Sequence, residues 1–451
     1  MTHITAAVEG PPVEQGNELG NPGRFRHQSG TRIAESLLPA RVAIAVLCLA
    51  ASVALSCALS RGPATRPVEH ADGQREPLPA SRLQALLDHL VDSEPGVRSG
   101  LLLVDGPTFH WKGASGIAFA GSGLPILPDD QFDIDSIAKM MTAAITMMLV
   151  EDGTLALDDH ISTYLPDSLV QGLHVYKGRS YGEEITVRQV LHHTTGIVDD
   201  WACPGFIDLV AEDSSKRWRP EETIEYVKKN CEPRFEPGNG FHYSDTAYNL
   251  LGLVLERVTG TPLHRLYREK LLDPLGMDHT YRPAYEPARP SIPGRPPAER
   301  YLDEVECGLW TSVMTADWAG GGLVSTTEDL NTFLRSFLRG SMFQDSSMRD
   351  TMLTWVESGP HNNYGLGVSR VLFSRFDDPG MAALGEVWGH AGSSHNFMYY
   401  WPQEDITIIG TLNQMAVETD LYETVAKIMT AIRATRNSGH DDGASGTGSE
   451  R

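Results

Sequence analysis

The sequence predicts an α+β protein: one sheet built from both ends of the folded body, interrupted by a long helical insertion. Three observations point there. Strand-like runs occupy residues 99–104 and 108–118, helical patterns dominate from about residue 136 to 340, and strands return at residues 386–390, 396–401 and 406–413.

Residues 1–41 are rich in Gly, Pro and polar side chains without periodicity, the signature of a disordered leader. Residues 42–59 form an apolar run close to the shortest that spans a bilayer. Arg24, Arg26, Arg32 and Arg41 precede it, as expected for an N-terminus left in the cytoplasm. The run reads as a signal or membrane anchor, and Ala54-Leu55-Ser56-Cys57 is loosely like the cleavage site before a lipid-modified cysteine. A Pro- and Arg-containing linker, residues 60–80, supports a tether, so the body is expected outside the cytoplasm, either anchored or secreted.

The body spans residues 81–436. An amphipathic helix is expected to open with Ser81 or Ala80 near its cap, and Asp105-Gly106-Pro107 turns the chain between the first two strands. The insertion covers about residues 140–330. Within it Thr261-Pro262 opens one helix, and Thr326-Thr327-Glu328-Asp329 opens another in capping-box style. An amphipathic helix at residues 421–433 closes the body, and residues 437–451, rich in Gly, Ser and Asp, are expected to be disordered.

The formal net charge of −22 argues against a nucleic-acid partner, because phosphate binding needs a basic face. The five cysteines form no CxxC or Cys/His zinc spacing. Cys48 and Cys57 lie in the apolar run. Of the remaining three, Cys203 and Cys231 are candidates to pair if the body lies in an oxidising compartment.

The chemistry centres on Ser136-Ile137-Ala138-Lys139. A serine hydroxyl is a weak nucleophile until a neighbouring base takes its proton, and positions i and i+3 of a helix face the same way. The following residues hold no Gly or Pro until Gly153 and are apolar nearly all round, so this helix is expected to be buried. Burial favours the uncharged amine, and Lys139 is therefore expected to act as a general base. Backbone N–H groups at the helix N-terminus are available to a developing oxyanion. Taken alone, a Ser and a Lys three apart recur by chance as a capping serine and a surface lysine.

Further stretches follow in order. They are Phe132-Asp133-Ile134-Asp135 before the serine, the run from Ile185 to Gly196 containing His192-His193, and Phe235-Glu236-Pro237-Gly238 leading to Tyr243-Ser244-Asp245. Gly320-Gly321-Gly322-Leu323-Val324-Ser325-Thr326, Tyr364-Gly365-Leu366-Gly367 and Gly389-His390-Ala391-Gly392 complete the series. In this order, over about residues 97 to 432, the chain resembles the family of class C β-lactamases, DD-peptidases and related esterases.

The resemblance implies an antiparallel sheet flanked by helices, with the helical insertion beside it and the site between. It implies Ser136 as the acylated residue, Lys139 as its paired lysine and Tyr243 as the proton shuttle to the leaving group. Asp245 stands at the end of the Tyr-x-Asn element, and His390-Ala391-Gly392 at the Lys/His-Thr-Gly element. Asp245, His390, Gly392 and Ser393 would then face the substrate, the backbone N–H groups of Ser136 and Ser393 forming the oxyanion hole. Asp replaces the usual Asn at residue 245, and His at residue 390 replaces the Lys of dedicated β-lactamases, which favours a DD-peptidase or esterase. Reading Ser244-Asp245-Thr246 as a Ser-Asp-Asn element is weaker, since the final Asn is missing.

An ionised Asp245 offers acceptors only, so it is expected either to hold a substrate amine or to pair with Lys139. His192 and His193, adjacent on a helix, point apart and make a poor metal pair, and the resemblance implies that His193 hydrogen-bonds within its turn. His390 and His395, five apart, would face opposite sheet surfaces on a regular strand. No metal or organic cofactor is implied. The expected function is a serine hydrolase acting on an amide or ester of a small-molecule or peptide-like acyl substrate. An acyl-transferase on the same scaffold and a non-catalytic penicillin- or peptidoglycan-binding envelope protein are the rivals.

Overall fold

The computed structural model describes residues 78–438. The expected leader, apolar run, tail and most of the linker lie outside the described residues. Among the described residues no helix is long and apolar enough to cross a membrane.

Helix α1 (Leu78–Ser93) leads into strands β1 (Ser99–Gly106), β2 (Phe109–Phe119) and β3 (Leu124–Pro125). The other six strands of the main sheet come from the C-terminal part: β4 (Val356–Glu357), β5 (Asn362–Tyr364), β6 (Ser369–Leu372), β7 (Glu386–Gly392), β8 (Asn396–Trp401) and β9 (Ile406–Thr411). Their order is β4-β5-β6-β7-β8-β9-β1-β2-β3, antiparallel at every pairing. The two parts meet where β1 pairs with β9, Leu103 opposite Ile409.

Both faces of this junction are covered, which is why β1 is apolar throughout instead of alternating. Leu102 and Val104 point to the layer formed by Leu83 and Leu87 of α1 and by Val425, Ile428 and Met429 of the C-terminal helix α6 (Leu421–Ser438). Leu101 and Leu103 point the other way, into the core shared with α2 (Ala138–Glu151) and with Leu330, Phe333 and Phe337 of α5 (Thr327–Arg339).

The insertion includes α3 (Pro220–Asn230) and α4 (Asp245–Thr259). The Ser244 side chain caps α4 by accepting from the Ala247 N–H, and Gly260 ends it in the left-handed conformation. Thr326 caps α5 by accepting from the Asp329 N–H, as its sequence indicated. The helix expected after Thr261-Pro262 changes pitch: an α turn at Leu263–Leu266 widens into a π segment at Tyr267–Leu272 and returns to an α turn at Asp273–Leu275. Pro274 follows directly, and its missing N–H leaves a continuous α ladder without a donor there. Cys203 and Cys231 form a disulfide, which ties the loop after Asp200 to the end of α3, while Cys307 is free and buried.

Candidate active site

A two-residue strand, Phe132–Asp133, pairs with Val324–Ser325 and delivers the chain to a tight turn, Asp135–Ile137, from which α2 departs. Ser136 sits in that turn, half-buried, whereas Lys139 one turn later is fully buried. α2 is buried along nearly its whole circumference, so its one charged interior side chain must be satisfied locally. The Lys139 Nζ donates to Ser136 Oγ at 3.0 Å and to the Gly320 carbonyl at 2.9 Å, and it forms an ion pair with Asp245.

Burial opposes the charge on Lys139, but the Asp245 carboxylate outweighs it and holds the lysine well above its ordinary pKa. The expectation of a neutral resting lysine is thereby corrected: a countercharge in contact overrides desolvation. Asp245 is itself buried at the start of α4, its carboxylate engaged by Lys139. The close approach depends on Gly320, where a Cβ would stand 2.6 Å from Asp245 Oδ1 and 3.0 Å from Lys139 Nζ.

Tyr243 lies just before α4 with its ring centroid 4.9 Å from Lys139 Nζ. Burial raises its pKa, the Lys139 charge only partly offsets this, and Ser136 and Lys139 are its polar neighbours. It therefore rests as the neutral phenol.

His390 on β7 is buried, its Nδ1 2.7 Å from the Ala391 carbonyl and its Nε2 2.9 Å from the Tyr364 hydroxyl. The carbonyl can only accept, so Nδ1 carries the proton and Nε2 accepts from Tyr364. Burial, reinforced by the Lys139 charge, lowers the His390 pKa to about 3, and the ring is neutral. His193 is buried in a left-handed turn, its Nδ1 accepting from the Ser244 N–H at 3.1 Å and its ring 4.3 Å from that of Tyr243. It thus braces the Tyr243-Ser244-Asp245 segment from across the insertion, beyond its own turn. His192 points elsewhere, toward the Thr354 carbonyl at 3.0 Å. His395 is in the hairpin turn after β7 and contacts Thr424, 3.0 Å away. Among the described residues no cluster of His, Cys, Asp or Glu has the arrangement of a metal site.

The hairpin carrying Gly392 and Ser393 packs against the serine turn. A Cβ on Gly392 would stand 2.8 Å from the Asp135 Cβ, and Ser393 is half-buried beside it. Ser136, Lys139, Tyr243 and Asp245 are thus joined by direct contacts, His390 lies with its ring 6.4 Å from that of Tyr243, and Gly392 and Ser393 belong to the hairpin packed on the serine turn.

A sequence model of the family described as Beta-lactamase matches residues 83–428 of this chain. The chain belongs to the β-lactamase family. Relatives include penicillin-binding protein 4 of Amycolatopsis lactamdurans, 26% identical over 52% of this chain, of whose length the chain spans 58%. Esterase EstB of Burkholderia gladioli is 28% identical, with 69% of this chain and 86% of the esterase covered. A D-stereospecific amidohydrolase from Streptomyces sp. superposes with a TM-score of 0.64 at 26% identity, over 76% of this chain and 97% of its own. Members of the family related to this chain are thus hydrolases of esters and amides, on the same α+β fold.

Within this β-lactamase-family site, two buried ion clusters flank the serine that sequence patterns did not single out. On the insertion side, Asp199 Oδ1 accepts from the Asp245 N–H at 3.0 Å, Asp200 Oδ1 from the Thr246 hydroxyl at 3.1 Å, and Asp317 Oδ1 from the Trp201 indole at 2.8 Å. Burial and the neighbouring carboxylates raise the pKa of Asp199 to about 7 and that of Asp317 to about 8, with Asp200 raised as well. On the sheet side, Arg300 Nη1 reaches both Asp133 and Asp135 at 2.6 Å. Asp135 Oδ2 in turn accepts from the Ser394 N–H and the Asn396 side-chain amide, each at 2.7 Å. Asp133 and Asp135 carry a local signal in the stretch before the serine, and Asp199-Asp200 one as two adjacent acids soon after His192-His193. Arg300 had none.

Proposed function

We propose that the protein is a serine hydrolase that cleaves an amide or ester through an acyl-enzyme on Ser136. The observation that carries this reading is the 3.0 Å contact between Lys139 Nζ and Ser136 Oγ, inside a cluster that keeps the lysine charged. A charged lysine cannot take the serine proton, but it stabilises the alkoxide form of its neighbour. Tyr243, resting as a phenol, then accepts the Ser136 proton as it gives its own to the leaving amine or alkoxide, while Oγ bonds to the acyl carbon. The backbone N–H groups of Ser136 and Ser393 receive the developing oxyanion. Water, activated along the same relay in reverse, releases the acyl group. His390 lies beside Tyr243 as a neutral hydrogen-bonding wall.

The relatives' names support amide and ester substrates, and the substrate is proposed to be a small or peptide-like acyl compound. An exported body is also proposed. Its support is the apolar run at residues 42–59 and the Cys203–Cys231 disulfide, a bond at home in oxidising compartments. The assembled Ser136, Lys139 and Tyr243 favour catalysis over mere binding. The test is covalent labelling of the purified protein with a fluorescent penicillin and with a fluorophosphonate, followed by mass mapping. The adduct is expected on Ser136, with Ser136→Ala losing both label and turnover. Label elsewhere, or turnover by the variant, overturns the assignment.

A further inference from the structure

We propose that Asp135 is a positioning residue, whose carboxylate holds the Ser136 turn and the β7–β8 hairpin in the one relation that aims both oxyanion donors. The proposal rests on the acyl-enzyme reading above.

The two N–H groups belong to segments 257 residues apart in sequence, since 393 − 136 = 257, so something must fix one against the other. Asp135 touches both. The peptide that carries the Ser136 N–H is the one joining Asp135 to Ser136, and a peptide is planar, so the Asp135 backbone conformation aims that N–H directly. Its φ is +47°, in the left-handed region that an L residue enters only when its surroundings hold it there. What holds it is the side chain. Asp135 Oδ2 accepts from the Ser394 N–H and from Asn396 Nδ2, both at 2.7 Å, and Oδ1 accepts from Arg300 Nη1 at 2.6 Å. The Ser394 N–H lies in the peptide immediately after Ser393, so the same carboxylate pins the backbone one residue from the second donor. Asn396 Nδ2 also donates to the Asp133 carbonyl at 2.8 Å, tying the strand before the turn to the start of β8. Gly392 completes the seat, because any side chain there would overlap Asp135 and the Ile134 carbonyl. Asp135, Arg300, Ser394 and Asn396 are all buried, so these bonds are not traded for water.

Oxyanion stabilisation acts on the transition state, and a displaced donor therefore lowers kcat and spares ground-state binding. Removing one such donor outright typically costs about 10²–10³ in kcat, so a misaimed pair is expected to lose about 10–10². The discriminating variant is Asp135→Gly. Glycine accepts a φ of +47° freely, so a residue needed only for the shape of the turn would be replaced without loss. Asp135→Asn is the second variant: it keeps the size and tolerates the turn, but its NH2 meets one of the N–H donors now bound by a carboxylate oxygen.

The experiment compares the full chain, Asp135→Gly, Asp135→Asn and Ser136→Ala on a p-nitrophenyl ester, with thermal unfolding recorded for each. It adds the affinity for phenylboronic acid, whose tetrahedral adduct with a serine oxygen places a second oxygen where the oxyanion would stand. Both Asp135 variants are expected to lose about 10–10²-fold in kcat and to weaken boronate binding by a similar factor, with KM changed less than about threefold. A glycine variant that keeps kcat within about threefold, with Ser136→Ala inert, overturns the positioning role and leaves the acyl-enzyme standing. Activity in Ser136→Ala overturns the acyl-enzyme itself. If Asp135→Gly does not fold, Asp135→Asn decides by the same kcat criterion, and a rise in KM alone in either variant also overturns the proposal.

Discussion

The two ion clusters beside Ser136 are built from the same residue types and differ in charge balance. On the insertion side one cation, Lys139, faces Asp245, Asp199, Asp200 and Asp317. On the sheet side one cation, Arg300, forms ion pairs with Asp133 and Asp135, and a backbone N–H and an amide from the hairpin bind the Asp135 carboxylate as well. The first cluster is short of positive charge: burial and mutual repulsion raise the pKa of Asp199, Asp200 and Asp317, while the Asp245 carboxylate keeps the lysine charged. The second is close to balance and spends its hydrogen bonds on geometry. The difference separates tuning from holding: one cluster bears on protonation beside Ser136, the other ties the Ser136 turn to the hairpin.

Substitutions should divide the same way. Replacing Lys139 with Ala is expected to lower kcat by about 10²–10⁴-fold, because the charge beside Ser136 Oγ and the relay partner of Tyr243 vanish together. Folding should survive, since the acids it leaves behind can protonate. Steady-state kinetics alongside urea unfolding checks both halves, and a variant that retains kcat within about tenfold would remove Lys139 from the chemistry. Arg300→Leu is expected to do the reverse. It strands two buried carboxylates, a loss of about 3–5 kcal/mol in stability, and a stability change under about 1 kcal/mol would show that the sheet-side cluster holds nothing.

Asp245→Asn sharpens the comparison at smaller amplitude. With the carboxylate on Lys139, its removal should depress kcat/KM by a similar factor for amine-bearing and neutral substrates alike, about tenfold for the loss of a charge-assisted contact. Selective loss for the amine-bearing members would restore the alternative, that Asp245 reads the substrate. The comparison also predicts a pH dependence of stability. Asp199 near 7 and Asp317 near 8 sit above the ordinary carboxyl value of 3.8, so between those limits the folded chain binds more protons than the unfolded one. Stability from these groups is therefore full in acid and is lost as pH rises through 7 to 8. Asp133, raised to about 7 chiefly by burial, adds to the same slope. Unfolding free energies at pH 5.5 and pH 9 should fall accordingly, and Asp317→Asn should flatten part of that fall. A flat wild-type profile would refute it.

Legibility followed sequence distance. Ser136 and Lys139 are three apart on one helix, and Tyr243-Ser244-Asp245 is a contiguous cap, so local rules found them. The sheet could be read from its ends because its strands are apolar and bounded by turns. Arg300 could not be read, since its partners lie 167 and 165 positions away and nothing in its own neighbourhood distinguishes it from a surface arginine. The protonation of Lys139 stood between two expectations for a related reason: burial is visible in an apolar helix, but whether Asp245 supplies the countercharge depends on a contact between helices. The π segment at Tyr267–Leu272 was missed because periodicity there is still helical, and only the spacing to Pro274 betrays it.

The register of β1 against β9 bears on how the molecule comes into being. Leu101 pairs with Thr411, so the central strand pair joins residues separated by 310 positions, 411 − 101. During synthesis the hairpin β1–β2 emerges with one apolar edge unpaired until almost the whole body has been made, and such edges recruit other chains. Long-range pairing of this kind also makes for slow folding. A polypeptide whose sheet cannot close early stays in an extended state for longer after leaving the ribosome, which is the state a translocation channel threads. Chains ending before residue 405 keep Ser136 but lack β9, and they are expected to accumulate as aggregates and not as folded proteins of lower stability.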